Sequence, residues 1–225
     1  MTTRAPYTGT FLFADIAGYT ALTEAHGDEE AAELARTFCR AVSDAAAARG
    51  GEVVKTIGDA VMVRHDVSAE AVALGLAAAH EVMAGHGFPA VRVGMHHGPA
   101  VERDGDWFGA TVNLAARVAA VAAGGEVLVT GAVRDAAGEL EGVEFESRGE
   151  QRIRNVVASV ALFAAVRDDR TTEERHVDPV CRMVVAEDRE AGSFRHRETV
   201  YRFCSLECGR RFLADPDAYV GHARQ

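Results

Sequence analysis

Short apolar segments alternate with helix-patterned segments along the first 166 residues, and this alternation constrains the fold more than any other feature. Residues 10–14 (TFLFA) form an apolar run that stops at Asp15 and a glycine-containing turn. Asp28 is placed to cap a helix over 29–49, which ends at Gly50-Gly51. Residues 52–57 and 60–64 read as a hairpin that turns at Gly58-Asp59. Ser68 is placed to cap a helix over 69–84. Strands are expected over 90–96 and 99–102, and a helix over 110–123 that closes at Gly124-Gly125. Further strands fall over 126–130, 143–147 and 159–166, with a short helix between the first two. Such alternation predicts an α/β or α+β sheet carrying helices. Residues 167–175 (RDDRTTEER) hold seven charged side chains and two threonines and read as a linker. Residues 176–225 read as a second, small unit with a hairpin over 193–203 and a helix over 206–213. At that size its own core is small, and a bound metal would help it fold.

The net charge of −10 excludes a sequence-independent nucleic-acid binder and a polybasic membrane binder. No apolar run approaches the ~20 residues of a membrane span. The first residues, MTTRAPYTGTF, lack an apolar signal core, so a cytoplasmic location is expected. Cys181, Cys204 and Cys208 cluster near the C-terminus, while Cys39 stands alone. An odd, clustered set without an export signal points to metal or redox chemistry rather than disulfides. All but one of the 24 basic residues are arginine; the exception is Lys55. A compact ammonium and a planar guanidinium are not interchangeable, which marks that position.

Two segments place carboxylates at strand ends: FADIAGYT with Asp15, and KTIGDAVMV with Asp59. Carboxylates are ligands for hard cations, and two on adjacent strands can hold a pair of Mg²⁺ ions. The amides of residues 16–20 would then open a helix N-terminus suited to phosphate. The plainer alternative is an N-cap at Asp15 and a turn residue at Asp59. In DWFGATVNLAAR, Asn113 and Arg117 are four apart and share one helix face. There they could meet a ribose and a developing phosphate charge, or simply solvent. GGEVVKT lacks the second glycine of a P-loop, and VLVTGAVRDAAG spaces its glycines wrongly for a dinucleotide turn. His96 and His97 read as structural, and Cys39 as a packed thiol.

FADIAGYT, KTIGD, VRVGMHHG and DWFGATVNLAAR, in this order and spacing, resemble the class III nucleotidyl cyclases over about residues 8–166. The resemblance implies a ferredoxin-like α/β domain and a head-to-tail homodimer with active sites at the interface. Asp15, Ile16 and Asp59 match the positions that bind two Mg²⁺ or Mn²⁺ ions. Lys55 and Asp106 match the pair that reads adenine. Asn113 and Arg117 match the pair that orients ribose and stabilises the transition state. Arg92 matches a phosphate-binding arginine, and Arg154, in RIRNV, falls on a looser match to another. The short stretch between Pro99 and Asp106 suggests a reduced dimerisation arm.

The second unit carries Cys181-x22-Cys204-x3-Cys208 within DPVCRM…VYRFCSLEC. The i, i+4 spacing puts Cys204 and Cys208 on one helix face near its N-terminus, which favours thiolates. Three thiolates suit Zn²⁺ or another thiophilic metal. The segment resembles the YHS domain over about residues 176–222. A fourth ligand stays open among His196, water and, less favoured, Asp178.

The expected protein is therefore an adenylyl cyclase domain over 1–166, a linker over 167–175 and a YHS module over 176–225. It converts ATP to 3′,5′-cyclic AMP and pyrophosphate in a homodimer, with a metal- or redox-sensing module attached. No nucleic acid or membrane is expected among its partners. Two other readings stay open: a guanylyl cyclase, which Lys55 and Asp106 oppose, or a non-enzymatic metal sensor using the cyclase fold as a dimerisation scaffold.

Overall fold

The computed structural model describes residues 7–82, 88–156, 158–168, 176–186 and 190–220. The first strand, β1 (Tyr7–Ile16), is buried along most of its length because both of its faces are covered. Two helices follow, α1 (Tyr19–His26) and α2 (Asp28–Ala48), then the hairpin β2 (Glu52–Ile57) and β3 (Ala60–His65). Next come α3 (Ser68–His80), β4 (Val91–Arg103), β5 (Asp106–Phe108), α4 (Ala110–Val121) and β6 (Val127–Thr130). Helix α5 (Gly131–Ala137) and strands β7 (Val143–Gln151) and β8 (Val160–Arg167) complete the sheet.

The sheet order is β2-β3-β1-β4-β6-β8-β7, with β5 paired to β4. Its first four strands have the ferredoxin-like arrangement expected from the sequence, with β1 antiparallel to both β3 and β4. Helix α2 buries Ala31, Ala35, Phe38, Val42 and Ala46, an i, i+4, i+7 stripe. From Ala35 onward that stripe joins α3 and the sheet in the larger core. Helix α4 covers the opposite face, where Val112, Ala115 and Ala119 pack on Phe11, Phe13 and Met62.

Several boundaries differ from the sequence reading. The two strands expected around Gly98-Pro99 are one strand, because antiparallel pairing of Gly9 with Gly98 and Thr8 with Pro99 carries β4 across both breakers. Asp28 lies inside the first turn of α2 rather than capping it, and Gly27 at φ 88° is the cap residue. Ser68 does not cap α3; its hydroxyl shares a 2.7 Å hydrogen bond with Thr10. Residues 83 and 84 of the helix expected there, and 169–175 of the expected linker, lie outside the described residues.

Gly94 sets the seat of α4. A Cβ at this position would lie 1.9 Å from the Ala119 backbone nitrogen, so only glycine lets the helix rest on β4. Gly94→Ala should destabilise the domain by at least about 1–3 kcal/mol, the usual range for overpacking. The clash is with backbone that cannot swing aside, and urea unfolding at matched m-values measures the loss.

The C-terminal unit contains two small sheets and two helices. Strand β9 (His176–Val177) pairs with β10 (Val184–Val185), and β11 (Gly192–His196) with β12 (Thr199–Phe203). Helices α6 (Leu206–Ala214) and α7 (Asp217–Val220) follow. The core of this unit is shared: Val180, Met183, Phe203 and Phe212 pack with Leu22 of α1 and Ala31 of α2. Backbone bonds join the two parts, from Ala90 N–H to the Arg182 carbonyl (3.3 Å) and from Val184 N–H to the Phe88 carbonyl (3.0 Å).

Candidate active site and metal cluster

The first group of side chains forms where β1, β3 and β4 run side by side. Asp15 is in register with Ala60 on one side and Arg92 on the other. Arg92 Nε and Nη2 donate to Asp15 Oδ2 at 2.9 and 2.5 Å. Asp59 sits in the tight turn made by Gly58 (φ 63°), close enough to Asp15 for the two carboxyls to interact. Burial first, and the neighbouring Asp15 second, push the Asp59 carboxyl up to about 6. Two carboxyls crowded at a sheet end, with the Ile16 backbone beside them, make an oxygen donor set that fits a hard divalent cation. A cation there would relieve the repulsion that raises Asp59. Next to this group lies a cavity of about 390 Å³, lined in part by Ala17, Gly18, Arg92 and Gly124. Gly18, at φ 77°, turns the chain from β1 into α1.

The second group lies around β2, β5 and α4. Lys55 Nζ donates to Asp106 Oδ2 at 2.6 Å, and it also stands 5.9 Å from the centre of the Phe108 ring. The bond from Lys55 holds the Asp106 carboxyl below its usual range. Asp106 Oδ1 accepts the Trp107 N–H at 2.8 Å, which fixes the carboxylate plane. On α4, Asn113 is exposed and Arg117 is half-buried. Arg117 Nη1 donates to the Asn155 carbonyl at 3.1 Å. That carbonyl belongs to the turn carrying the exposed Arg154, so the loop before β8 is tied to α4. Among the described residues, hydrogen bonds and ion pairs tie these side chains into separate pairs: Arg92 with Asp15, beside which Asp59 lies, Lys55 with Asp106, and Arg117 with the Asn155 carbonyl.

His96 and His97 hold the sheet, as expected. His96 Nδ1 bonds Thr130 at 2.8 Å, and His97 Nδ1 bonds Thr10 at 3.0 Å. Cys39 is half-buried against the main core.

The three C-terminal cysteines do come together. Cys181 Sγ is 3.3 Å from Cys204 Sγ, which is 3.8 Å from Cys208 Sγ. Only Cys208 lies within α6; Cys204 precedes the cap residue Ser205, whose hydroxyl accepts the Cys208 N–H. Hydrogen bonds from Cys181 and Cys204 hold the Cys208 thiol well below its usual range. Neither of the side chains considered as a fourth ligand, His196 and Asp178, joins them. The His196 ring faces Asp217 at 3.6 Å. Asp178 is fully buried and uses its carboxylate to accept the Val180 and Cys204 N–H groups, both at 2.8 Å. The side chain that does join them is His26, at the end of α1, with Nε2 3.7 Å from Cys204 Sγ. Nothing in the sequence could pair residues 178 positions apart.

A match to the family model for the adenylate and guanylate cyclase catalytic domain spans residues 6–163. The chain belongs to this cyclase family. The cyclase domain is 38% identical over 161 residues to the pH-sensitive adenylate cyclase MT1302 of Mycobacterium tuberculosis, covering 70% of this chain and 40% of that protein. It is 40% identical over 117 residues to an adenylate cyclase of Streptomyces coelicolor, covering 52% of this chain and 31% of that one. The chain thus spans less than half the length of these relatives. Among solved structures, the adenylyl cyclase CyaB of P. aeruginosa matches with a TM-score of 0.64 at 23% identity, over 72% of this chain and 95% of that one. An adenylate/guanylate cyclase/hydrolase from Silicibacter pomeroyi matches with a TM-score of 0.62 at 27% identity, over 73% of this chain and 99% of that one. Among the described residues, no helix of the cyclase chain is long and apolar enough to cross a membrane.

Proposed function

We propose that this chain is an adenylyl cyclase that converts ATP to 3′,5′-cyclic AMP and pyrophosphate in a cytoplasmic homodimer. The observation that carries the reading is the Lys55–Asp106 pair, 2.6 Å apart and beside the Phe108 ring. Adenine offers an acceptor at N1 and a donor at N6, and an ammonium beside a carboxylate complements both. Guanine presents the reverse pattern along that edge, so the same pair would leave GTP mispaired. The adenylate cyclases among its relatives support the same choice.

Asp15, the Ile16 carbonyl and Asp59 would hold two Mg²⁺ or Mn²⁺ ions. When bound, such ions lower the pKa of the ribose 3′-hydroxyl and neutralise the triphosphate. Arg92 keeps Asp15 paired in the free protein and stands ready to turn its guanidinium to phosphate. Asn113 orients the ribose, and Arg117 places charge where the pentavalent phosphorus develops it. Arg154, on the turn that Arg117 grips, contacts the departing phosphates.

Dimerisation would bring the carboxylate group of one protomer to the Lys55, Asp106, Asn113 and Arg117 group of its partner. Exposed apolar side chains support that arrangement: Phe108, two positions from Asp106, and Val101, in register with it, are about half exposed, and large exposed apolar side chains mark interaction surfaces. The C-terminal unit is read as a YHS module whose Cys181, Cys204 and Cys208 bind a thiophilic metal such as Zn²⁺.

Purified protein incubated with Mn²⁺ and either ATP or GTP should release cyclic AMP from ATP, with cyclic GMP formed from GTP far more slowly. Product formation from GTP alone would move the assignment to a guanylyl cyclase. Absence of product from both would leave a non-enzymatic scaffold.

A further inference from the structure

We propose that His26, Cys181, Cys204 and Cys208 form one closed Cys₃His site for a zinc-class divalent ion that fastens α1 of the cyclase domain to the C-terminal unit. This rests on reading the three cysteines as metal ligands, and adds that the fourth ligand comes from the catalytic domain. The four ligand atoms lie within 4.8 Å of one another. A tetrahedral ion with metal–sulfur bonds of about 2.3 Å requires ligand–ligand edges of about 3.8 Å. The edges at Cys204 are 3.3 Å to Cys181, 3.8 Å to Cys208 and 3.7 Å to His26 Nε2. The shortest is far beyond the roughly 2.05 Å of a disulfide.

The surroundings are those of a built site. His26 Nδ1 faces Glu30 Oε1, in the first turn of α2, at 3.4 Å, so Nε2 is left to point at the sulfurs. A carboxylate behind a histidine is the usual way to fix the tautomer of a ligating imidazole. Asp178 ties the Cys181 and Cys204 segments together from below through backbone N–H groups. Cys181 and Cys208 are buried, and Phe203 and Phe212 pack around them with Leu22 from α1. Four ligands from protein leave no open position, which suits a structural ion rather than a catalytic one.

The location gives the ion a consequence for the cavity beside Asp15 and Arg92. Helix α1 starts directly after Asp15, Ile16 and the Gly18 turn, and it ends at His26. The cavity that Gly18 and Arg92 line is also lined by Pro179 and Arg182, neighbours of Cys181. Arg182 packs its stem so closely on Gly18 that a Cβ there would sit 2.6 Å from Arg182 Cγ. An ion binding both His26 and Cys181 therefore fixes both walls of that cavity at once.

The test uses the full-length, reduced protein. Metal analysis after zinc loading should give one equivalent per chain, and Co²⁺ substitution should give intense tetrahedral d–d bands with thiolate charge transfer. His26→Ala should weaken Zn²⁺ binding, measured against a competing chelator, by more than the about 10- to 100-fold that loss of an outer-shell partner costs. Glu30→Gln should fall within that range. His26→Cys should restore a four-coordinate Co²⁺ spectrum, and His26→Gln covers the case in which the alanine variant does not fold. Zinc should slow hydrogen exchange across 19–26 in the wild type and not in His26→Gln. No bound metal under these conditions would overturn both the three-cysteine reading and the His26 site. Metal bound with unchanged affinity and spectrum in the His26 variants would leave the cysteines standing and overturn the inter-domain site.

Discussion

Asp59→Asn and Arg117→Ala should each be inactive as homodimers, and mixing them should restore cyclase activity. Asp59 belongs to the carboxylate group at the end of β1, while Arg117 sits on α4 and grips the 154–155 turn. On the proposed dimeric reading, a complete site takes one of these groups from each protomer. Removing a group that stabilises transition-state charge costs about 10²- to 10³-fold in rate. Losing a metal-ligating carboxylate should cost at least as much. In a two-fold dimer the heterodimer collects one site with both defects and one with none. Recovery is measured as cyclic AMP formation after subunit exchange, with heterodimers verified by two affinity tags. Verified heterodimers without activity would show that the site is not shared.

The double substitution Lys55→Glu, Asp106→Cys should lower ATP use and raise GTP use relative to it. In the wild type the ammonium and carboxylate are locked to each other at 2.6 Å, so each holds the other in place before base arrives. Reversing the donor at position 55 and removing the acceptor at 106 leaves the adenine edge mispaired. An unpaired buried donor or acceptor costs about 1–3 kcal/mol, or about 5- to 150-fold in selectivity. The ratio of kcat/KM for the two nucleotides is the measurement, and it is insensitive to a general loss of folded protein. An unchanged ratio in an active variant would remove Lys55 and Asp106 as the base readers.

Much of this was legible in the chain itself. The strand–helix order and the hairpin at Gly58-Asp59 follow from local patterns, since apolar periodicity and glycine turns act over a few residues. The two carboxylates, the lone lysine and the Asn113–Arg117 spacing were visible for the same reason. The breaks misplaced by local reading were those that distant pairing decides. Gly98-Pro99 looks like a strand end until β1 pairs across it. Ser68 looks like a cap until Thr10, 58 positions away, takes its hydroxyl.

The division is clearest at the cysteines. Their number and spacing were enough to point to metal chemistry. Of the side chains considered for the fourth ligand, Asp178 is taken up by backbone N–H groups and His196 lies beside Asp217 rather than at the sulfurs. His26 could be found only once α1 had packed against the C-terminal unit, since a tetrahedral donor set depends on distances in space that residue spacing does not encode. The same holds for Arg182, which reaches the cavity beside Gly18 only because the chain between 88 and 90 hydrogen-bonds to the segment after Cys181. Sequence alone determined which residues could do chemistry, because side-chain type and short-range spacing are local properties. Tertiary packing decided which of them meet, because long-range contacts form wherever apolar surface on separate segments is buried together.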